Sequence, residues 1–227
     1  MRGEISSGKF DKRHPLDWYV EEGWEWGKIA KAIGPEEPGV AVWDPACGFG
    51  HSLSRLQGIG FKGELIASDL VDNLAREDFV EGPPPEFRSW DFVDWNHPNF
   101  ANPAPAGPVS IWCNPPYSYK KINGEVISQA FARKALELAT HRVVFLLPLK
   151  WLAGGMRGRF LREFPPQQIL YFTKRPSMPP GDRIHLMGTR AYRGGQVDYC
   201  AVVWDRRAPT KPGETRSIWL PSLGGKS

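Results

Sequence analysis

The sequence predicts an α/β fold built on a parallel, doubly wound sheet, and three observations carry that prediction. Short apolar runs of strand length recur along the chain, stretches with helical spacing separate most of them, and a glycine-bearing turn directly follows the first run. Strands and helices in alternation stack successive strands side by side, with helices covering the two faces.

Residues 1–38 read as a polar leader followed by a helix over 17–33, which Gly34-Pro35 stops. Strands are expected at 39–44, 65–69, 87–90, 109–113 and 143–149. The clearest helix spans 123–140, where Asn123 can cap and Val126, Ile127, Ala130, Phe131, Ala135 and Leu138 recur at three- and four-residue steps. The proline-rich stretch 81–108 should wind over the surface between the third and fourth strands. Residues 168–173 and 198–204 are strand-like but joined by 24 residues, 174–197, without helical periodicity, which predicts a long-looped antiparallel hairpin. Irregular loops of that length usually exist for a function. Residues 206–227 read as a C-terminal tail.

At 227 residues the chain suits one domain, 1–227, and its 41% apolar and 24% charged composition is that of a soluble globule. No apolar run approaches the length of a membrane span. The N-terminus lacks the apolar core of a signal peptide, and Cys47, Cys113 and Cys200 are widely spaced, so a reducing cytoplasm is expected. No cysteine pair has the short spacing of a zinc site, and no metal is expected. The net charge of +4 is uneven: residues 150–196 carry nine Lys/Arg against two acids, a local +7, which leaves −3 for the remainder. Concentrated basic charge favours a polyanionic partner.

The turn Asp44-Pro45-Ala46-Cys47-Gly48-Phe49-Gly50 ends the first strand before a helix start at His51-Ser52. Glycines there let backbone approach a ligand closely. Asp69 ends the second strand 21 residues after Gly48, where a carboxylate can accept from two ribose hydroxyls. Asp91-Phe92 follows the third strand and offers a carboxylate for an adenine amine and a ring for its face. Single aspartates after strands often only cap helices or turns. All three together point to a nucleotide-like ligand, because in this fold those strand ends share one crevice.

Asn114-Pro115-Pro116-Tyr117 follows the buried fourth strand. An amide followed by two prolines gives a rigid turn in which the Asn114 carbonyl and the Pro115 backbone carbonyl can converge on one NH2 group, with the Tyr117 ring alongside. Such a pocket suits a planar amine.

With the 44–50 turn, Asp69, Asp91-Phe92 and Asn-Pro-Pro-Tyr in this order, the chain resembles class I S-adenosylmethionine-dependent methyltransferases. More narrowly, it is similar to the amino-methyltransferases of DNA, especially small phage- and prophage-type adenine methyltransferases. The resemblance runs from about Asp17 to Trp204. It implies a Rossmann-like, three-layer αβα fold around a seven-stranded sheet with the last strand antiparallel, in accord with the hairpin. It also implies S-adenosylmethionine as cofactor: Asp44, Gly48 and Gly50 surround its methionine part, Asp69 holds the ribose, and Asp91 contacts the adenine. Pro45, Ala46, Cys47, Leu70, Phe92 and Asn114 complete the expected contacts. In such families an N-terminal segment also touches the cofactor. Asp17-Trp18-Tyr19 looks like its start, with Tyr19 carried over, although Glu21-Glu22 stand where relatives often have Thr-Pro.

The implied reaction is methylation of the exocyclic N6 amine of adenine in DNA by in-line displacement. Accepting the amine hydrogens at Asn114 and Pro115 raises electron density on a weak nucleophile and aims it. A paired base is out of reach, so it should flip out and stack on Tyr117. Carbon-5 methylation of cytosine would need a cysteine nucleophile, typically after a proline, and no cysteine here follows one. Cytosine N4, an RNA base, a protein glutamine and a catalytically silent nucleic-acid-binding module remain as alternatives.

An antiparallel seventh strand must begin on the ligand side of the sheet, so loop 174–197 should emerge beside Tyr117. Lys174, Arg175, Arg183, Arg190 and Arg193, with His185 and Tyr192 among them, form a candidate phosphate clamp, extended by Lys150, Trp151, Arg157 and Arg159. A solvated basic loop is the plainer reading of the same residues.

Overall fold

The fourth expected strand is buried at every position, as a strand must be when it has neighbours on both edges and helices on both faces. In the computed structural model, which describes residues 16–94, 104–117, 121–122 and 124–222, that strand sits inside an eight-stranded sheet. The elements in chain order are α1 (Trp24–Ile33), β1 (Ala41–Asp44), α2 (His51–Gly58), β2 (Leu65–Asp69), β3 (Phe87–Ser89) and β4 (Val109–Cys113). There follow β5 (Lys121–Ile122), β6 (Glu125–Val126), α3 (Ile127–Leu138), β7 (Arg142–Pro148), α4 (Gly155–Glu163) and β8 (Gln168–Phe172). The chain then forms α5 (Ile184–Met187), β9 (Tyr199–Asp205) and β10 (Arg216–Leu220).

The sheet runs β10-β8-β9-β7-β4-β1-β2-β3. Strands β7, β4, β1, β2 and β3 are mutually parallel, whereas β9 lies antiparallel between β7 and β8. The antiparallel hairpin expected from the sequence is therefore present. Seven strands follow the expected plan, and the segment read as a tail supplies an eighth, β10, parallel to β8 at the sheet edge. Its five residues are short and mostly exposed, so no buried alternation announces them.

Alternate residues of each central strand face opposite layers. On one side Trp43, Ile111, Val143, Phe145 and Leu147 pack with Phe131, Ala132 and Ala135 of α3 and Phe160 of α4. On the other, Val42, Trp112, Val144 and Leu146 pack with Trp26 and Ile29 of α1 and Leu53 and Leu56 of α2. These two cores make three layers. No helix among the described residues is long and apolar enough to cross a membrane.

Three further expected elements differ. The first helix begins at Trp24, not at 17, after Gly23 with a φ of 91°. The preceding residues instead pair with the basic loop: the Val20 N–H donates to the Pro179 carbonyl at 3.0 Å, and Tyr19 forms a β-bridge with Pro180. That pairing holds the backbone extended despite its helical periodicity. Helix α3 starts at Ile127 because the two-residue strands β5 and β6 take up the residues before it. The proposed cap Asn123 lies outside the described residues. Loop 174–197 is not featureless: it contains two 3-10 turns around the single-turn helix α5, too short to leave a periodic signal.

Candidate active site

Because β7, β4, β1, β2 and β3 are parallel, Asn114, Asp44, Asp69 and Asp91 all emerge from one edge of the sheet. The cavity there has an empty volume of about 1140 Å³, counted out to its open mouth. Ligands in doubly wound folds bind in this position. Tyr19, Asp44, Pro45, Ala46, Cys47, Gly48, Asp69, Leu70, Asp91, Phe92, Asn114 and Pro116 all reach its wall.

The first wall is the turn after β1. Asp44 is buried and spends both oxygens locally, accepting from the Ala46 N–H at 3.1 Å and from the Ser52 hydroxyl. It therefore ties the turn to α2, and burial pushes its carboxyl up to about 7. Gly48 and Gly50 have φ values of 49° and 84°, and a Cβ on Gly50 would lie 2.5 Å from Leu74 Cδ1. Gly50 supports the turn from behind and does not line the cavity.

The second wall is the end of β2. Asp69 accepts from the Gly48 N–H at 3.0 Å and from the Leu70 N–H at 2.7 Å, on different oxygens, with the Val71 N–H also favouring its charged form. Further lone pairs remain on both oxygens for a ligand's hydroxyls. Burial raises its carboxyl above the ordinary range. Beyond it, Leu70 and Val71 are 52% and 43% exposed at the mouth, an apolar surface that fits a planar ring. Asp91 accepts at one oxygen from the Val93 and Asp94 N–H groups. Phe92 reaches the wall, but its ring packs edge-to-face on Trp43 at 5.3 Å and against Phe131 at 5.0 Å. It is a core residue, not the open ring face expected from the sequence.

The third wall is the turn after β4. The Asn114 amide donates from Nδ2 to Glu21 Oε2 at 2.7 Å and to the Tyr19 carbonyl at 3.2 Å. Tyr19 thus meets the turn through its backbone. Pro115 is buried behind Asn114 and does not reach the cavity wall. Tyr117 differs from expectation. Its ring packs against both cores, and its hydroxyl donates to the Leu146 carbonyl at 2.6 Å and contacts Asn114 Oδ1. Burial pushes the phenol well above its usual value. In this conformation the ring lies on the sheet and offers no platform for a flipped base, because β7 presents a carbonyl within its reach.

Sequence reading missed Glu21 and His51 as site residues and named Trp18 only as part of the start of the N-terminal contact segment. Trp18 sits over Gly48, 3.0 Å from where a Cβ would stand, and packs edge-to-face on Phe49. The His51 ring contacts the Glu21 carbonyl through Nδ1 at 2.6 Å. An acid in a tryptophan-rich stretch was the available signal for Glu21, and it pointed equally to an exposed helix face.

The basic loop docks beside the site through residues 178–181. The Gly181 N–H donates to the Trp18 carbonyl at 3.1 Å, and Met178 Sδ lies 4.0 Å from Asn114 Nδ2. None of its basic side chains lines the cavity. Lys174 lies over the Trp24 ring at 4.9 Å, Arg175 pairs with Asp198 at 2.7 Å, Arg183 is half-buried, and Lys150, Arg190 and Arg193 are exposed.

Solved structures share this architecture. The chain superposes on a Listeria monocytogenes protein assigned to the class I S-adenosylmethionine-dependent methyltransferases with a TM-score of 0.61 and 15% identity, over 89% of this chain and 65% of that one. For the methyltransferase subunit of a type I restriction-modification system from Streptococcus thermophilus the values are 0.61, 14%, 89% and 47%. For DrdV in complex with DNA they are 0.59, 15%, 89% and 27%. The chain thus spans between 27% and 65% of the length of these proteins, and the likeness is one of fold. No protein-family model matches the chain, and no curated protein is similar to it in sequence.

Proposed function

We propose that the chain is an S-adenosylmethionine-dependent methyltransferase that acts on the exocyclic N6 amine of adenine in DNA. The observation that carries this reading is the position of Asn114, which holds an amide with a fixed polar orientation beside a cavity bounded by Asp69 and the 44–50 turn. The residues present fit the cofactor. Asp69 has acceptor capacity for a ribose, Leu70 and Val71 offer an apolar surface to a purine, and the Asp91 carboxylate stands at the wall for its amine. Gly48, bare of a side chain, brings backbone to the cavity wall beside the Trp18 indole, where the methionine part would lie.

When bound, S-adenosylmethionine supplies a methyl group already activated on a positively charged sulfur. The chain's own work is to improve and aim the acceptor. Asn114 accepts one hydrogen of the target amine, and the Pro115 carbonyl, behind Asn114 in this conformation, takes the other when the turn opens to the base, which raises electron density on nitrogen and limits its rotation. The extra proton leaves to water after transfer, and no strongly basic side chain is required. Tyr117 takes its stacking role by leaving the Leu146 carbonyl when a base enters.

DNA is favoured as substrate by the local +7 of residues 150–196 and by the DNA-bound neighbour DrdV. The cytoplasm suits such a substrate and the reduced, buried cysteines. Labelled methyl transfer into DNA, RNA and protein pools, followed by nucleoside and amino-acid analysis, tests the reading. N6-methyladenine in DNA is expected. Label in N4-methylcytosine, in RNA or in glutamine would replace the substrate, and no label with bound cofactor would replace the activity.

A further inference from the structure

Two hydrogens leave Asn114 Nδ2, and both are taken by groups that can only accept, while Oδ1 meets the Tyr117 hydroxyl. Glu21 Oε2 stands at 2.7 Å and the Tyr19 carbonyl at 3.2 Å. Turning the amide over would set Asn114 Oδ1 against a carboxylate and a carbonyl, three acceptors without a proton among them. Only one orientation satisfies all three neighbours, and it points Oδ1, an acceptor, at the Tyr117 hydroxyl, which gives it up when Tyr117 moves aside for a base. An amide free to flip would present a donor as readily as an acceptor to an incoming base.

Glu21 is itself held from three sides. Its second oxygen, Oε1, accepts from Trp26 Nε1 at 2.7 Å, and Trp26 is fully buried on α1, its ring 6.2 Å from that of Trp112 on β4. Its carbonyl meets His51 Nδ1, at the start of α2, at 2.6 Å. The side chain is 6% exposed, and that residue reaches the cavity wall. A carboxylate so placed has one oxygen for each of two buried donors, the indole N–H and the amide. Glutamine, with one carbonyl oxygen, could serve only one of them.

We propose that Glu21 is a positioning residue: it holds the Asn114 amide so that, once the Tyr117 hydroxyl withdraws, an acceptor and not a donor is left for the target, which selects a substrate bearing an amine over one bearing a carbonyl. This rests on the amine-methylation reading but is separable from it, because the orientation of Asn114 can be read without turnover. The substitution Glu21→Gln keeps the volume and removes one acceptor, and Glu21→Ala removes both.

The test has two arms. In the first, the side-chain 1H–15N pair of Asn114 is identified by its absence in Asn114→Asp and followed in wild type and Glu21→Gln. Wild type should show two distinct, slowly exchanging protons, and Glu21→Gln should shift the pair and speed its exchange. An unchanged pair in a folded Glu21→Gln protein overturns the proposal.

In the second arm, single-turnover methyl transfer at saturating cofactor and DNA should fall about 10- to 100-fold in Glu21→Gln, with cofactor affinity nearly unchanged. Added to Asn114→Ala, the same substitution should cost little more, since its effect passes through the amide. Fully multiplicative losses would overturn the proposal. Absence of transfer in wild type would sink the amine-methylation reading alone, and the spectroscopic arm would still decide the role of Glu21.

Discussion

The Trp18 indole fills the space that a side chain at Gly181 would need: a Cβ there would stand 2.2 Å from Trp18 Cε2. The same indole lies over Gly48, so one ring joins the basic loop to the 44–50 turn. Gly181→Ala must push the ring away. It should destabilise the fold by about 1–3 kcal/mol, the usual cost of overpacking, and weaken cofactor binding as well. Thermal melting with and without cofactor checks this, and an unchanged affinity would show that the two sites are independent.

Asn114→Ala removes the oriented acceptor. The rate of methyl transfer should fall on the order of 10²-fold or more while the protein stays folded. Turnover at the wild-type rate would end the proposed mechanism.

Tyr117→Phe keeps the ring and deletes the hydroxyl that holds it on β7. Loss of the bond to the Leu146 carbonyl should cost about 1 kcal/mol in a denaturant titration. Transfer should persist, because stacking needs only the ring.

Asp69→Ala takes the acceptor from the Gly48 and Leu70 N–H groups and from the ligand. Cofactor affinity should drop about tenfold or more by calorimetry, as for a lost charged hydrogen-bond partner. Unchanged binding would remove Asp69 from the ribose site.

Glu25 is fully buried, and neither carboxylate oxygen has a hydrogen-bond partner with good geometry. Burial first, then the nearby Glu21 charge, pushes it from 4.5 to about 8. A carboxyl raised on folding holds its proton more tightly in the folded chain, so stability is greatest below the unfolded value and declines as pH rises from about 4.5 toward 8. Asp44, raised to about 7, acts in the same direction. Melting temperature should therefore fall between pH 5 and pH 9. Glu25→Gln should flatten much of that fall and stabilise the protein most at the alkaline end. A flat wild-type profile would contradict the buried-acid account.

Reversing the charges of Arg175, Arg183 and Arg190 should weaken DNA binding and reduce its dependence on salt. Arg175 also loses its pair with Asp198, an exposed bridge whose contribution to stability is small. Equal salt slopes for wild type and variant would remove the loop from the DNA interface.

The sheet was legible because its signal is local. Residues 65–69 and 109–113 are apolar runs with clear ends, and the structure returns the same bounds for β2 and β4. Turn chemistry was equally readable: Gly48 and Gly50 adopt the positive φ that their residue type suggested. Failures came where a distant partner overrode local preference. Residues 17–23 carry a helical pattern but are drawn out along Pro179 and Pro180, and Arg216–Leu220 becomes a strand only because β8 offers a free edge.

The sequence by itself determined that a doubly wound sheet carries Asp44, Asp69, Asp91 and Asn114 at one edge, since the alternation of strands and helices follows from short-range pattern and the hand of the crossovers from chain chirality. Tertiary structure decided what each of these groups touches. It turned Asp44 inward to hold its own turn, packed Phe92 and Tyr117 into the core, and set Glu21 against Asn114, 93 positions away in the chain. Hydrogen-bond partners across such separations depend on how whole layers close upon one another, and no local window of residues encodes them.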